Sequence, residues 1–113
     1  MARVLVLNTD MSSEMRDISD NDLHKIVDGF IEVVTLVKGS RLAHIIGIAV
    51  DDEGLLKQLP VNRLATSIRG MFHLPVETPL VGTAVLFANS RFDSVDLPQV
   101  WIDLVQALKA VVE

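Results

Sequence analysis

The chain has 113 residues, half of them apolar, with a formal net charge of −5 and a mean hydropathy of +0.40. This length fits one domain with one hydrophobic core. Cysteine is absent, which excludes disulfides, thiolate metal sites and a cysteine nucleophile. The basic residues are scattered, so nucleic-acid binding, which depends on clustered Lys and Arg, is not expected.

The apolar runs are short, well below the ~20 residues that a membrane-spanning helix needs. The N-terminal apolar run is also too brief for the core of a signal peptide. The sequence therefore predicts a soluble, cytoplasmic protein without a membrane contact.

Residues 3–8 form an apolar run without polar alternation, which predicts a strand covered on both faces. The polar residues 9–16 indicate a loop, the most mobile part of the chain. Side chains at 19–22 can cap a helix that begins there. Gly29 is expected to close that helix in the left-handed conformation.

The middle of the sequence predicts a β-meander. Residues 30–37 and 43–50 are rich in β-branched side chains and predict the second and third strands. The acidic residues 51–54 form a polar reversal that leads into a short fourth strand at 55–59.

Asn62 is a predicted N-cap for a short helix that Gly70 ends or loosens. The residues that should face the core on that helix are Leu64, Ala65, Ile68 and Met71 or Phe72. A loop at 73–79 leads to a last strand at 80–88, in which Gly82 indicates a bulge or a close backbone approach.

Residues 96–112 show the clearest periodicity in the chain and predict an amphipathic C-terminal helix, with Asp96 as cap and Pro98 in the first turn. Strands and helices mix without regular βαβ alternation. The predicted fold class is therefore α+β: a single compact domain with a mostly antiparallel or mixed sheet of four to five strands, two short helices and the longer C-terminal helix.

No catalytic set can be assembled from the sequence. His24, His44 and His73 have no ligand partner at helical spacing, and the acidic residues 51–54 lack the alternating ligands of a calcium loop. Phosphate-binding glycine loops and nucleophile elbows do not occur. We expect neither enzymatic activity nor a metal or cofactor.

Glu32 is the most informative polar residue, because it lies within an apolar strand on the face of Phe30, Val34 and Leu36. A carboxylate against a core needs a partner, and Arg63 or Arg69 could form a structural ion pair with it. In the functional alternative, Glu32, Asn62 and Arg63 line a ligand cleft.

Trp101 is the only tryptophan and lies on the apolar face of the C-terminal helix. Core packing is one interpretation of that face. The other is an interface with a second copy, since two-fold dimers are the commonest soluble assembly. The interface residues would be Trp101, Val105, Leu108 and Val112.

Four segments in order resemble a family of small bacteriophage and mobile-element proteins of unknown function, whose pattern is roughly G-(Y/F)-I-E-V-V, N-E-(E/D)-G, G-L-P-x-N-R and V-G-T. The segments are Gly29-Phe30-Ile31-Glu32-Val33-Val34, Asp51-Asp52-Glu53-Gly54-Leu55, Leu59-Pro60-Val61-Asn62-Arg63 and Leu80-Val81-Gly82-Thr83-Ala84-Val85. The resemblance spans about residues 3–87. The chain departs from the pattern at Asp28, at Gln58 and in a longer linker after the second strand. The resemblance implies no activity, only a phage-encoded protein in the host cytoplasm.

Two functional hypotheses follow. In the first, the protein binds a host protein and inhibits or redirects it. In the second, it sequesters a small anionic ligand, such as a nucleotide signal. Asn62, Arg63 and Arg69 would then bind the anion at the N-terminus of the short helix.

Overall fold

Five antiparallel strands form the centre of the computed structural model, which describes residues 2–19, 22–38, 45–72, 78–89 and 94–112. They are β1 (Ala2–Leu7), β2 (Ser13–Ile18), β3 (Ile31–Lys38), β4 (Ile45–Asp51) and β5 (Ala84–Asn89), in the order β2-β1-β5-β4-β3. A two-residue strand, β6 (Ser94–Val95), pairs with the end of β5. The predicted α+β class with a mainly antiparallel sheet is confirmed.

The three interior strands are the apolar runs of the sequence. β1, β5 and β4 each have a neighbour on both sides, with Leu86 of β5 opposite Leu5 on one side and Ile48 on the other. Strands buried on both faces carry apolar side chains at consecutive positions. The predicted interior position of the first strand is therefore confirmed.

Helices cover both faces of the sheet. Helices α2 (Arg63–Phe72) and α3 (Gln99–Val112) lie on one face, and the single-turn helix α1 (Leu23–Val27) lies on the other. The larger core, between the sheet and α2 and α3, includes Leu5, Leu7, Ile46, Ile48, Val50, Leu64, Ile68, Leu86, Leu97, Ile102 and Val105. The smaller core, beneath α1, includes Val4, Val27, Ala49, Val85 and Phe87.

Helix α2 begins as predicted at Asn62, whose Oδ1 accepts a hydrogen bond from the Ala65 N–H at 3.0 Å. Leu64, Ala65 and Ile68 are buried as expected. The predicted end at Gly70 is wrong, because the helix continues to Phe72. A glycine costs only about 1 kcal/mol within a helix, and the buried face supplies more than that.

Strand β2 takes the place of the second half of the loop predicted at 9–16, whereas residues 9–12 do lie in a loop. The strand pairs with the whole of β1, from Ser13 opposite Leu7 to Ile18 opposite Ala2. Only Ile18 of its six residues is buried. Edge strands have one free side and tolerate charged side chains, so polar composition alone did not reveal this strand.

The predicted fourth strand at 55–59 is also wrong, and with it the β-meander. The chain winds through consecutive turns, in which the Lys57 N–H donates to the Glu53 oxygen at 3.0 Å and the Leu59 N–H to the Gly54 oxygen at 3.1 Å. Leu55 and Leu56 are exposed. These turns lead into α2, which crosses over the sheet before β5 begins.

Two glycine predictions have different outcomes. The left-handed residue that closes α1 is Asp28, with φ of 60°, and not Gly29. Aspartate tolerates this conformation better than most residues. Gly82 precedes β5 and does not interrupt it, but the predicted close approach is present: a Cβ there would lie 2.7 Å from Cδ1 of Leu59.

Asp96 fastens the start of the C-terminal helical segment to β1. Its Oδ1 accepts a hydrogen bond from the Arg3 N–H at 2.7 Å, and the Leu97 N–H donates to the Arg3 oxygen at 2.8 Å. Asp96 therefore anchors the segment to the sheet, and the helix itself begins at Gln99. His44, His73 and most of the loop predicted at 73–79 lie outside the described residues.

Candidate functional site

The segments that carry the resemblance meet at one end of the sheet. The Asp52 N–H donates to the Phe30 oxygen at 2.7 Å, which joins the first two segments. The Gly82 N–H donates to the Pro60 oxygen at 2.8 Å, and Val61 forms a β-bridge with Val81, which joins the other two. Segments distant in the sequence are thus brought to one place.

A cavity of about 210 Å³ lies between these segments. Its lining is formed by Thr9, Ile26, Val27, Asp28, Asp51, Lys57, Leu59, Pro60, Gly82 and Thr83. The charged lining residues are two acids and one base. Such a lining does not favour an anion, and the volume is below the ~300 Å³ at which pockets for larger ligands begin.

An ion pair between the buried side chain of Asp51 and the half-exposed side chain of Lys57 forms one wall of the cavity. The Nζ of Lys57 lies 2.7 Å from Oδ2 of Asp51, whose side chain is only 2% exposed. The other carboxylate oxygen accepts the Glu53 N–H at 2.9 Å. The Lys57 ammonium also donates to the Asp28 main-chain oxygen at 3.1 Å.

The pair keeps both groups charged. The hydrogen bond from Lys57, followed by that from the Glu53 N–H, lowers the pKa of Asp51 below its ordinary value. The hydrogen bond to Asp51 raises the pKa of Lys57. An aspartate with a lowered pKa is a poor general acid, and a lysine with a raised pKa is a poor nucleophile or base. The chemistry of this pair is therefore structural.

The ion pair holds the Phe30 turn, defined here as residues 28–30. Lys57 binds the main-chain oxygen of Asp28, and Gly29 packs directly on the Asp51 carboxylate. A Cβ at Gly29 would lie 2.7 Å from Oδ2 of Asp51, so only glycine allows this approach. With the bond from Asp52 to the Phe30 oxygen, every residue of the turn is fixed to the 51–57 segment.

The turn presents an aromatic ring to solvent. Phe30 is 76% exposed, the most exposed aromatic side chain in the described part of the protein. Beside it lies an open hollow of about 530 Å³, lined by His24, Lys25, Asp28, Gly29, Phe30 and Ile31. An exposed ring on a rigid turn next to a hollow is the kind of arrangement that serves as an anchor in protein interfaces.

The structure separates the residues predicted to bind an anion. Glu32 is exposed on the edge strand β3 and lines a second hollow together with Arg69, and no ion pair joins these two described side chains. Arg69 donates to the Thr78 oxygen. Arg63 lies on the exposed first turn of α2 and is not part of that lining.

Asn62 is fully buried and its side chain is committed to the main chain. Its Nδ2 donates to the Leu7 oxygen at 2.9 Å and to the Gly82 oxygen at 2.8 Å, while its Oδ1 caps α2. Asn62 thus joins β1, α2 and the segment before β5, and its amide N–H groups are not available to a ligand.

The four predicted interface residues on α3 lie in different surroundings. Val105 is fully buried, whereas Trp101 and Leu108 are half-buried against the larger core. The Trp101 ring also lies 5.3 Å from that of Phe72 on α2. The side chain of Val112 lies outside what the structure describes.

Neither the Phe30 turn nor the ion pair that holds it was predicted from the sequence. Asp51 and Lys57 were assigned to a solvated reversal and a strand, and nothing in their spacing indicates that they meet. The only local signal for the turn was the pair Gly29-Phe30, because an aromatic residue that directly follows the end of a helix can be exposed to solvent. Its fixation depends on contacts with a distant segment.

Within the described ranges, no group of three or more His, Asp or Glu side chains is arranged to hold a metal ion. None of the described helices has the combination of length and apolar character that would let it cross a bilayer.

The fold and site define a small α+β protein in which an antiparallel sheet carries helices on both faces and a fixed aromatic turn at one end. The family model described as Domain of unknown function (DUF3846) matches residues 1–109, and the chain belongs to this family. No curated protein and no solved structure matches it significantly.

Proposed function

We propose that this protein is a non-enzymatic binding protein that docks on another protein through the Phe30 turn. The observation that carries the proposal is the exposed Phe30 ring on a turn fixed by Lys57 and the buried carboxylate of Asp51. Binding hot spots are enriched in rigid aromatic side chains that fill a pocket on the partner. A turn fixed in advance loses little conformational entropy when it binds.

The shape of the turn indicates how the partner binds. The Phe30 ring enters a pocket on the partner, and a side chain of the partner enters the hollow between α1 and Ile31. Lys25 and His24 border this hollow, so an acidic group on the partner would be favoured at its rim. The proposed contact therefore combines an apolar centre with a polar rim, as protein interfaces do.

The resemblance of the four segments to phage and mobile-element proteins supplies the biological setting of the proposal. In that setting the partner is a host protein, which the bound protein inhibits or redirects in the host cytoplasm. No catalytic set among the described residues suggests a reaction instead, since the ion pair of Asp51 and Lys57 is suited to holding the turn.

Sequestration of a nucleotide, the alternative hypothesis, has less support. The side chain of Asn62 is occupied by the main chain, and the hollow that Arg69 lines does not have Arg63 in its lining. The cavity that the four segments do form has a net negative lining and a volume of about 210 Å³. A protein partner is the better match to this geometry.

The test compares Phe30→Ala with Met15→Ala, which truncates another exposed apolar side chain (55% exposed, against 76% for Phe30) on β2 at the opposite edge of the sheet. Tagged wild-type protein and both variants are used to capture host proteins, and any stoichiometric partner is purified and titrated calorimetrically. We expect Phe30→Ala to weaken binding about 30-fold, which corresponds to the ~2 kcal/mol of a hot-spot residue. Met15→Ala should bind like the wild type.

Both variants remove exposed side chains, so their melting temperatures should stay close to that of the wild type. A partner that binds Phe30→Ala with unchanged affinity would contradict the proposed contact. Loss of binding in both variants would show a general effect that does not depend on the turn.

A further inference from the structure

The outer face of α3 carries an apolar stripe that the described residues leave largely exposed. The stripe consists of Val100, Leu104, Ala107 and Val111, and we call it the α3 stripe. Val100 and Val111 are 68% and 82% exposed, Ala107 is exposed and Leu104 is half-buried. The stripe is separate from the inner face of the helix, where Ile102 and Val105 are buried in the core.

The spacing of the α3 stripe is that of a helix-pairing seam. Successive members are four, three and four residues apart, which is the heptad spacing of a and d positions in coiled coils. A surface helix that only covers its own core needs one apolar face, and α3 already has one. The second seam therefore indicates a helix of another molecule as its occupant.

We infer that the α3 stripe pairs with the same stripe of a second copy, with the two helices antiparallel about a two-fold axis. In this arrangement Leu104 packs against Ala107 of the second copy, and Val100 against its Val111. Each large side chain thus meets a smaller one or its equal, which fills the contact evenly. A parallel pair would place Ala107 on Ala107 and leave a gap in the seam.

Charge also favours the antiparallel pair. Two chains of net charge −5 repel each other, so a self-contact must be nearly free of charged side chains. Of the two charged residues in the described helix α3, Asp103 lies beside the α3 stripe and Lys109 lies on the other side of the helix. Antiparallel packing also brings the positive end of each helix dipole beside the negative end of the other.

The size of the contact sets its strength. A helix of 14 residues is about 21 Å long, which is short for an interface of the usual ~800 Å² per partner. Exposed Met71 and Phe72 at the end of α2 extend the apolar surface, because Phe72 contacts Trp101. We therefore expect a reversible dimer whose population rises with protein concentration.

The first test follows molecular mass by light scattering over a wide concentration range. Wild-type protein should shift from monomer towards dimer, and Ala107→Asp should stay monomeric, because it places two negative charges near the two-fold axis. Gln106→Asp makes the same change in charge on the side of α3 that faces Ser13, and should dimerise like the wild type. Far-UV circular dichroism checks that both variants are folded.

The second test fixes the orientation and uses the absence of cysteine from the chain. In an antiparallel pair, Val100→Cys of one copy lies beside Val111→Cys of the other, so a mixture of the two variants should form a disulfide-linked dimer. Either variant alone should form little, because identical positions are about 16 Å apart along the paired helices.

A wild-type protein that remains monomeric at every concentration would overturn the inference. So would faster crosslinking of Val100→Cys with itself than with Val111→Cys, which indicates a parallel pair. Neither result affects the Phe30 turn, whose test depends on a different surface.

Discussion

At the scale of single residues, the buried side chain of Asn62 joins three distant parts of the chain through hydrogen bonds. Its cap on α2 was predictable, because a cap bonds to an N–H only three residues away. Its bonds to the Leu7 and Gly82 oxygens span 55 and 20 residues, and no sequence pattern indicates them. Local chemistry therefore identified this residue but not the whole of its role.

Replacing Asn62 with alanine should destabilise the protein by about 3 kcal/mol, because three buried main-chain groups lose their partner at ~1 kcal/mol each. Urea denaturation of the wild type and the variant measures this difference. Asn8→Ala is the matched control, since Asn8 is only partly buried and its side chain bonds to Ser12. A loss similar to that of the control would show that the buried bonds contribute little.

The ion pair between buried Asp51 and half-exposed Lys57 predicts a specific dependence of stability on pH. Lys57 lowers the pKa of Asp51 in the folded state. Ionised Asp51 therefore stabilises the fold fully at pH values above its ordinary pKa of 3.8. That contribution is lost as the pH falls from there through the folded pKa. Hydrogen bonds from Ser12 and Ser19 lower the pKa of Asp10 and Asp22 as well, so these groups titrate in the same acidic range.

Asp51→Asn should therefore be less stable than the wild type at neutral pH, and the two should converge as the pH falls below 3.8. Unfolding free energies measured by urea titration between neutral and acidic pH check this. Asp52→Asn controls for the loss of a negative charge at an exposed neighbour. If the difference in unfolding free energy between the wild type and Asp51→Asn stays constant down to acidic pH, a charged role for Asp51 is contradicted.

At the scale of elements, the apolar strands and the long C-terminal helix were predictable from composition and periodicity, whereas the polar edge strand was not. Helix α3 was predictable because its buried positions repeat over 14 residues. Edge strand β2 was missed because one buried residue in six leaves no alternation to detect. The opposite error arose at 55–59, where leucines suggested a strand although two of them face solvent.

The turns at 51–58 predict different effects for two similar leucines. Leu56 is 83% exposed, so Leu56→Ser should change the free energy of unfolding by less than about 0.5 kcal/mol. Leu59 lines the cavity and lies against Gly82, so Leu59→Ser should cost roughly 2 kcal/mol. Thermal and urea denaturation of the two variants measure both. Equal losses of stability in the two variants would contradict the difference in environment between Leu56 and Leu59.

At the scale of the whole molecule, the first and last parts of the chain complete one core. Strand β1 binds the segment before α3 through Arg3, and α3 covers Leu5 and Leu7 together with α2. The length of the sequence predicted one core, whereas the sheet separates a larger core from a smaller one, and the sequence could not predict which segments meet. That depends on strand order, since β5, late in the chain, inserts between β1 and β4.

Because β1 and α3 pack in the same core, we expect the sheet and the helices to unfold together. Trp101, the only tryptophan, stacks near Phe72 where α2 meets α3, so its fluorescence reports on the helical layer. Far-UV circular dichroism reports on the helices and strands together. Because Leu97 and Val105 are buried in the core that β1 and β5 share, the midpoints of the two signals in urea should coincide. An earlier fluorescence transition would show that α2 and α3 detach from a sheet that remains folded.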